Sequence, residues 1–132
     1  MDGFMDSQNA QSRIGQLAKS SYISLTTFKR SGEPIATPVW FAVSTEVIYV
    51  TSLKSAWKLK RLARNSSVRI APCTSGGKVL GETFEGSGRI LNGDEAELAF
   101  NALKRKYGAL FKVWNFFTRG RNNKRFMEFT AV

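Results

Sequence analysis

Hydroxyl and cationic side chains cluster directly after a predicted strand, in the stretch TSLKSAWKLKRLARN (51–65). The stretch holds five lysines and arginines and no acidic residue. A helix that begins right after a strand presents free backbone N–H groups and the positive end of its dipole to an anion. Ser52, Ser55 and Lys58 would add hydroxyl and charge-assisted hydrogen bonds there. We therefore predict a site for a phosphate ester at this helix start.

The same run of charge has a second interpretation. Lysines and arginines on one side of a helix commonly face solvent and bind nothing. On the pattern alone, a solvated basic helix face explains the stretch 51–65 as well as a phosphate site does. Other features of the chain are needed to decide between a phosphate site and a solvated helix face.

Catalytic side chains are scarce in this sequence. It contains no histidine and a single cysteine, Cys73. An internal disulfide is therefore excluded, a zinc site lacks ligands, and Ser-His-Asp or Cys-His catalysis lacks its base. We predict no catalytic side chain and no metal site, and we interpret Cys73 as a small buried core residue. Redox chemistry would have to come from a bound cofactor.

The net charge indicates an anionic partner. Twenty lysines and arginines oppose ten aspartates and glutamates, which gives a formal charge of +10. Such a surface favours nucleic acid, anionic lipid or a polyanionic small molecule. Nucleic acid is the rival class, because FKVWNFFTRGRNNKR (111–125) mixes aromatic residues with bases as single-strand platforms do. Core aromatics flanked by solvated bases explain that stretch equally well, and we rank nucleic-acid binding below a small molecule.

Length and apolar runs limit the architecture. A chain of 132 residues suits one domain with one core. We predict a single domain over 1–132, with 1–15 as a loose N-terminal helix. The longest apolar runs are far shorter than the roughly 20 residues that cross a bilayer, so no membrane span is predicted. The single cysteine and the lack of a signal-peptide pattern predict a cytoplasmic protein.

Apolar periodicity predicts the elements that position the phosphate site. Strands are predicted over 21–28, 35–43, 47–52, 68–73, 82–91 and 125–131. Helices are predicted over 7–19, 54–64 and 93–108. Ser52 or Ser55 is the predicted N-cap of the second helix and Asn65 its end. The aromatic segment 109–118 fits either a helix or a strand.

Proline and glycine residues mark irregular points in the strands. Pro38, inside the second strand, predicts a sheet edge or a bulge. Gly86 and Gly88 are predicted bulge positions in the fifth strand. Short, mostly antiparallel strands interrupted by helices indicate an α+β fold built on a small barrel.

Four segments of the chain, taken in order, resemble a known family. They are PVWF (38–41), YVTS (49–52), SAWKLKRLARNSSVRIAPC (55–73) and EGSGRIL (85–91). Together they are similar to the pyridoxamine 5'-phosphate oxidase-like FMN-binding split-barrel superfamily. More narrowly, a strand ending in Ala-Pro-Cys, a glycine loop and Glu-Gly-Ser-Gly-Arg resemble its small branch that uses the deazaflavin coenzyme F-420.

The resemblance implies a six-stranded antiparallel split β-barrel with flanking helices. It further implies a homodimer with two equivalent cofactor sites at the subunit interface. In such proteins, the positions of Thr51, Ser52 and Lys58 hold the cofactor phosphate, and backbone at 38–40 lines the tricyclic ring. The predicted cofactor-binding residues are Pro38, Val39, Trp40, Thr51, Ser52, Ser55, Trp57, Lys58 and Arg61.

The chain departs from the family's pattern in two respects. FMN oxidases of the family carry a second base just before the lysine, where this chain has Trp57. We therefore expect either weaker binding of the cofactor phosphate or Arg61 in place of the missing base. Nothing resembles the histidine and arginine that bind pyridoxal phosphate in the true oxidase, which disfavours a role in vitamin B6 synthesis.

The resemblance implies hydride transfer between coenzyme F-420 and a small organic substrate that the sequence does not identify. FMN is the alternative cofactor, in an oxidase or reductase of the same fold or in a carrier with no substrate of its own. If the cofactor bears a polyglutamate tail, a run of eight bases without an intervening acid would hold it. These are Lys104, Arg105, Lys106, Lys112, Arg119, Arg121, Lys124 and Arg125.

Overall fold

The computed structural model describes residues 12–118 and 124–132 of the chain. The strands are β1 (Tyr22–Phe28), β2 (Pro34–Val39), β3 (Phe41–Ser44), β4 (Val47–Leu53), β5 (Ser67–Cys73), β6 (Phe84–Leu91) and β7 (Lys124–Ala131). The helices are α1 (Trp57–Arg64), α2 (Gly93–Tyr107) and α3 (Ala109–Phe117). Residues 12–15 are also helical.

The seven strands of the described residues join one antiparallel sheet, in the order β2-β1-β5-β6-β7-β4-β3. Its two edge strands, β2 and β3, are consecutive in the chain and separated by Trp40 alone. A sheet whose edges are joined by one residue must curl until those edges lie side by side. The fold is therefore the α+β split barrel with flanking helices that the sequence predicts.

Residues 12–118 and 124–132 form seven strands, whereas the sequence predicts six. The predicted strand 35–43 is divided at Trp40, because the chain changes partner there: β2 pairs with β1, and β3 pairs with β4. Pro38 lies in an edge strand, as predicted, which is where a sheet tolerates a residue without an N–H. The five other predicted strands agree with the structure to within two residues at each end.

Side chains alternate between two apolar layers. Inside the barrel, Ile23, Ile70 and Phe129 are fully buried. The other layer lies between the sheet and the helices α2 and α3, where Leu103 and Phe126 are buried. Within β7, Phe126 and Phe129 therefore serve different layers, as an odd spacing in a strand requires. One curved sheet thus stabilises both the barrel and the helices against it.

The predicted bulges at Gly86 and Gly88 are wrong. The β6–β7 register runs from Gly86 opposite Ala131 to Leu91 opposite Phe126 without a skipped residue. Close approach explains both glycines instead. A Cβ at Gly86 would lie 2.8 Å from the Thr130 carbonyl oxygen, and one at Gly88 would overlap the Phe129 ring.

The start of α1 differs from the prediction. The helix begins at Trp57, three residues later than predicted, with Ala56 at the N-cap and no side-chain cap. The predicted cap by Ser52 or Ser55 is therefore wrong. Ser52 still belongs to β4, and a turn closed by the Ala56 N–H and the Leu53 carbonyl, 3.0 Å apart, separates strand from helix.

The other helix boundaries are largely as predicted. Asn65 ends α1, and its N–H donates to the Arg61 carbonyl at 2.9 Å. Gly108 ends α2 with a positive φ of 58°, which glycine adopts at no steric cost. The ambiguous segment 109–118 forms a helix, α3. Of the predicted helix 7–19, residues 12–15 are helical, residues 16–19 form turns where a helix is predicted, and 7–11 lie outside the described residues. None of the helices in the described ranges is long and apolar enough to cross a membrane.

Candidate functional site

A cavity of about 420 Å³ opens between the β2–β3 corner, the end of β4 and the start of α1. Its lining residues are Tyr22, Pro38, Val39, Trp40, Thr51, Ser52, Leu53, Ala56, Lys58 and Trp114. Six of the nine predicted cofactor-binding residues are among them. The fold brings these six together because the barrel places the edge strand β2 next to the end of β4.

The polar part of the cavity wall comes from the end of β4 and the first turn of α1. Thr51 and Ser52 are buried, and the Thr51 hydroxyl donates to the Arg125 carbonyl at 3.3 Å. Lys58 follows in the first turn of α1, half-buried. Burial, and to a smaller extent the charge of Arg61, lower the pKa of Lys58 below its ordinary value. An anion in the cavity would offset both effects.

The apolar part of the wall is aromatic. Trp40 lies at the break between β2 and β3 and stacks on Tyr107, with ring centroids 4.8 Å apart and planes 15° apart. The Trp114 ring of α3 is 5.4 Å from Trp40. Tyr22 and Trp114 both line the cavity, although the sequence does not indicate them. An aromatic wall beside hydroxyl and ammonium groups suits a flat ring that carries an anionic group.

The Tyr107 hydroxyl fixes the β2–β3 corner. It accepts a hydrogen bond from the Phe41 N–H at 2.9 Å and lies 2.8 Å from the carbonyl oxygens of Ser21 and Phe41. Burial raises the pKa of Tyr107 to about 12, so the hydroxyl keeps its proton to donate. Sequence reasoning gave Tyr107 no role, because at the end of α2 it stands among charged residues that read as a solvent face.

Three predicted residues lie outside the cavity wall. Ser55 is exposed. Trp57 is 69% exposed, and the Lys60 ammonium lies 4.5 Å from its ring centroid. The Arg61 guanidinium donates to the Thr27 hydroxyl at 2.7 Å, on the β1 side. Arg61 therefore acts on the cavity through its charge near Lys58, while its hydrogen bond goes elsewhere.

The predicted run of eight bases is divided in space. Lys104, Arg105 and Lys112 line a separate groove of about 430 Å³ beside the α2–α3 corner. Lys124 is buried and donates to carbonyl oxygens at the end of α3. Arg119 and Arg121 lie outside the described residues. Cys73 is buried at the end of β5 and its pKa is raised by burial, which fits a core thiol that stays protonated.

Replacing Tyr107 by phenylalanine is expected to lower the free energy of unfolding by about 1–2 kcal/mol. The variant keeps the ring stacked on Trp40 but removes the acceptor of the Phe41 N–H and the single hydroxyl proton that the Ser21 and Phe41 carbonyl oxygens share. Urea unfolding measures the difference. Tyr49→Phe is the matched control, because the Tyr49 hydroxyl forms no hydrogen bond to the described residues. Equal stability of the two variants would contradict an anchoring role for the Tyr107 hydroxyl.

Comparison with known proteins gives one family and many structural neighbours. The family model described as pyridoxamine 5'-phosphate oxidase matches residues 14–132. Sequence comparison with curated proteins finds no significant match.

Three of the solved structures that are similar to this chain are compared by fold similarity and sequence identity. A protein related to general stress protein 26, of the pyridoxinephosphate oxidase family, from Clostridium acetobutylicum has a TM-score of 0.68 at 13% identity, covering 95% of this chain and 84% of its own. The heme storage protein HutZ from Vibrio cholerae has a TM-score of 0.67 at 14% identity, and the match covers 93% of this chain and 90% of HutZ. An F-420 reductase has a TM-score of 0.58 at 17% identity, covering 92% of each chain. At these identities the likeness concerns the fold.

Proposed function

This chain belongs to the pyridoxamine 5'-phosphate oxidase family, and from that premise we propose that it is an oxidoreductase that binds coenzyme F-420. Hydride would pass between that phosphorylated deazaflavin and a small organic substrate. The observation that carries the proposal is that Trp40 and Trp114 line the same cavity as Thr51, Ser52 and Lys58.

The residues present fit such a cofactor. The cavity volume of about 420 Å³ falls within the roughly 300–1,000 Å³ typical of small-molecule sites. Trp40 and Trp114 give the cavity an apolar wall that suits a tricyclic system, and the flanking Val39 is buried. At the polar end, Ser52 and Lys58 offer a hydroxyl and an ammonium to a phosphate.

The bound deazaflavin would supply the hydride chemistry itself. The chain's own groups bind, orient and exclude water. Among the described residues that line the cavity, Tyr22 and Lys58 are the titratable ones, and Lys58 is assigned to the phosphate. The proposed reaction therefore needs no side-chain base, in keeping with a sequence that has no histidine.

A second copy of the chain is proposed to complete the site. The β2 strand forms one wall of the cavity and is a sheet edge, with Pro34, Ala36 and Pro38 exposed. An edge strand with exposed residues beside a ligand cavity is a surface that a partner can cover. Homodimerisation there would close the cavity over the cofactor.

An FMN-binding protein of the same fold, either an oxidase or reductase or a carrier, is the second candidate. The favouring observation is that Thr51, Ser52 and Lys58 form a compact polar end, which suits a phosphate monoester as well as a diester. A carrier would bind cofactor without turning over any acceptor, so binding and turnover have to be measured separately.

The experiment is a titration of the full chain with coenzyme F-420 and, separately, with FMN, followed by absorbance and fluorescence. We expect micromolar or tighter binding of coenzyme F-420, and weaker binding of FMN. Anaerobic oxidation of the reduced cofactor by a panel of acceptors then distinguishes an enzyme from a carrier. Binding of neither cofactor below millimolar, together with tight and salt-sensitive binding of an oligonucleotide, would overturn the proposal.

A further inference from the structure

The short helix α3 is apolar on both of its sides. Its inner side packs Phe111 and Trp114 into the layer under the sheet. Its other side carries Leu110, Val113, Phe116 and Phe117, which are 61%, 53%, 78% and 77% exposed. We call these four residues the outer face of α3. A helix that is apolar all round normally has both sides covered.

The members of the outer face form one continuous surface. Leu110, Val113 and Phe117 recur at spacings of three and four, which places them on the same side of a helix. Phe116 borders them, and its ring lies edge-on to that of Phe117 with centroids 5.5 Å apart. Contiguous exposed apolar side chains of this size mark an interaction surface.

The surroundings of the outer face are cationic. No acidic residue occurs between Glu97 and Glu128. Lys104, Arg105 and Lys112 line the groove at the α2–α3 corner, where α3 begins. The covering partner must therefore offer negative charge next to apolar material.

We propose that the outer face of α3 docks the protein onto the surface of an anionic phospholipid membrane. Acyl chains would take the apolar side chains, and lipid phosphates would meet the lysines and arginine of the groove. A second copy of this chain, with its formal charge of +10, would bring further positive charge to a surface that is already cationic. A nucleic acid would satisfy the bases but would leave Leu110 and Val113 uncovered.

The test is flotation of the full chain with two kinds of vesicle, one of phosphatidylcholine alone and one of phosphatidylcholine and phosphatidylserine in equal parts. We expect binding to the anionic vesicles that weakens as salt rises. The double variant Phe116→Ser/Phe117→Ser should bind these vesicles about tenfold or more weakly. Because both side chains are exposed, the variant should retain the circular dichroism spectrum of the parent.

The matched control is Val79→Ser/Leu80→Ser, which removes two exposed apolar side chains, 48% and 60% exposed, from the β5–β6 connection. It should bind anionic vesicles like the parent. Equal loss in both double variants, no preference for anionic vesicles, or no vesicle binding by the parent would overturn the proposal. So would a change from dimer to monomer, or a loss of oligonucleotide binding, as the sole effect of the Phe116→Ser/Phe117→Ser change.

Discussion

Replacing Lys58 by alanine is expected to weaken the binding of coenzyme F-420 or FMN by about 1–3 kcal/mol, roughly five- to 150-fold in the dissociation constant. Lys58 is the one ammonium among the described residues that line the cavity. Its amine is partly withdrawn from water, which strengthens a charge-assisted hydrogen bond to a phosphate relative to the same bond at the surface. Calorimetric or fluorescence titration of parent and variant measures the loss.

The control is Lys60→Ala, which removes the same charge from the same helix. Lys60 is exposed, and its ammonium lies over the Trp57 ring, away from the cavity wall. Lys60→Ala should change cofactor affinity little, because exposed charges are screened by salt. An equal loss of cofactor affinity in the two variants would show that the cofactor responds only to the overall positive charge of the helix. Lys58 would then not be a binding residue of the site.

The pH dependence of binding offers a second readout of the same prediction. Burial and the neighbouring Arg61 lower the pKa of Lys58 from its ordinary value of 10.5. The ammonium that binds phosphate is therefore present below that lowered pKa and is lost as pH rises through it. Affinity for the cofactor should fall over this alkaline range in the parent, and at lower pH than an ordinary lysine would give. In Lys58→Ala that part of the decline should disappear.

The parts of the site that the sequence predicts are those encoded by neighbouring residues. Ser52 and Lys58 could be found because a strand followed at once by a basic helix is visible in a short window. Tyr107 could not, because its hydroxyl meets Phe41 across a separation of 66 residues. Likewise, Trp114 reaches the cavity only after α3 folds over the sheet. Long-range packing, which no local pattern records, supplies the aromatic wall.

The wrong N-cap and the placement of two predicted site residues outside the cavity wall have physical causes as well. A serine before a basic helix is a frequent N-cap, but the turn after Leu53 moves the helix start to Trp57 and leaves Ser55 in solvent. The charge of Arg61 suggests a phosphate ligand, but its guanidinium donates a hydrogen bond to the Thr27 hydroxyl at 2.7 Å and lies outside the cavity wall. A side chain long enough to reach two places cannot be assigned from spacing alone.

Segment 109–118 shows the limit of periodicity in the same way. Its apolar residues are spread around the whole helix, so neither a helical nor a strand repeat stands out. Packing of Phe111 and Trp114 under the sheet settles the segment as helix α3. The residues that hide the helical repeat of apolar side chains are those of the outer face of α3, which we assign to a lipid surface.

Replacing Gly88 by alanine is expected to lower the free energy of unfolding by about 1–3 kcal/mol, near the upper end of that range. The added Cβ would overlap the Phe129 ring and come within 3.1 Å of the Glu128 carbonyl oxygen. Phe129 is fully buried in the barrel core and pairs directly with Gly88 in the ladder. Neither the ring nor the backbone can move aside without disturbing β7 or the core.

Urea unfolding measures the effect, with Gly76→Ala as the matched control. A Cβ at Gly76 would meet nothing closer than 3.9 Å, and its φ is not in the positive region, so that variant should be close to neutral. If Gly88→Ala were as stable as the control, the close approach of β6 and β7 would not be the reason for the glycine. The barrel interior would then make room for the added methyl group by moving the Phe129 ring. A loss in Gly88→Ala alone ties this glycine to the packing that shapes the barrel.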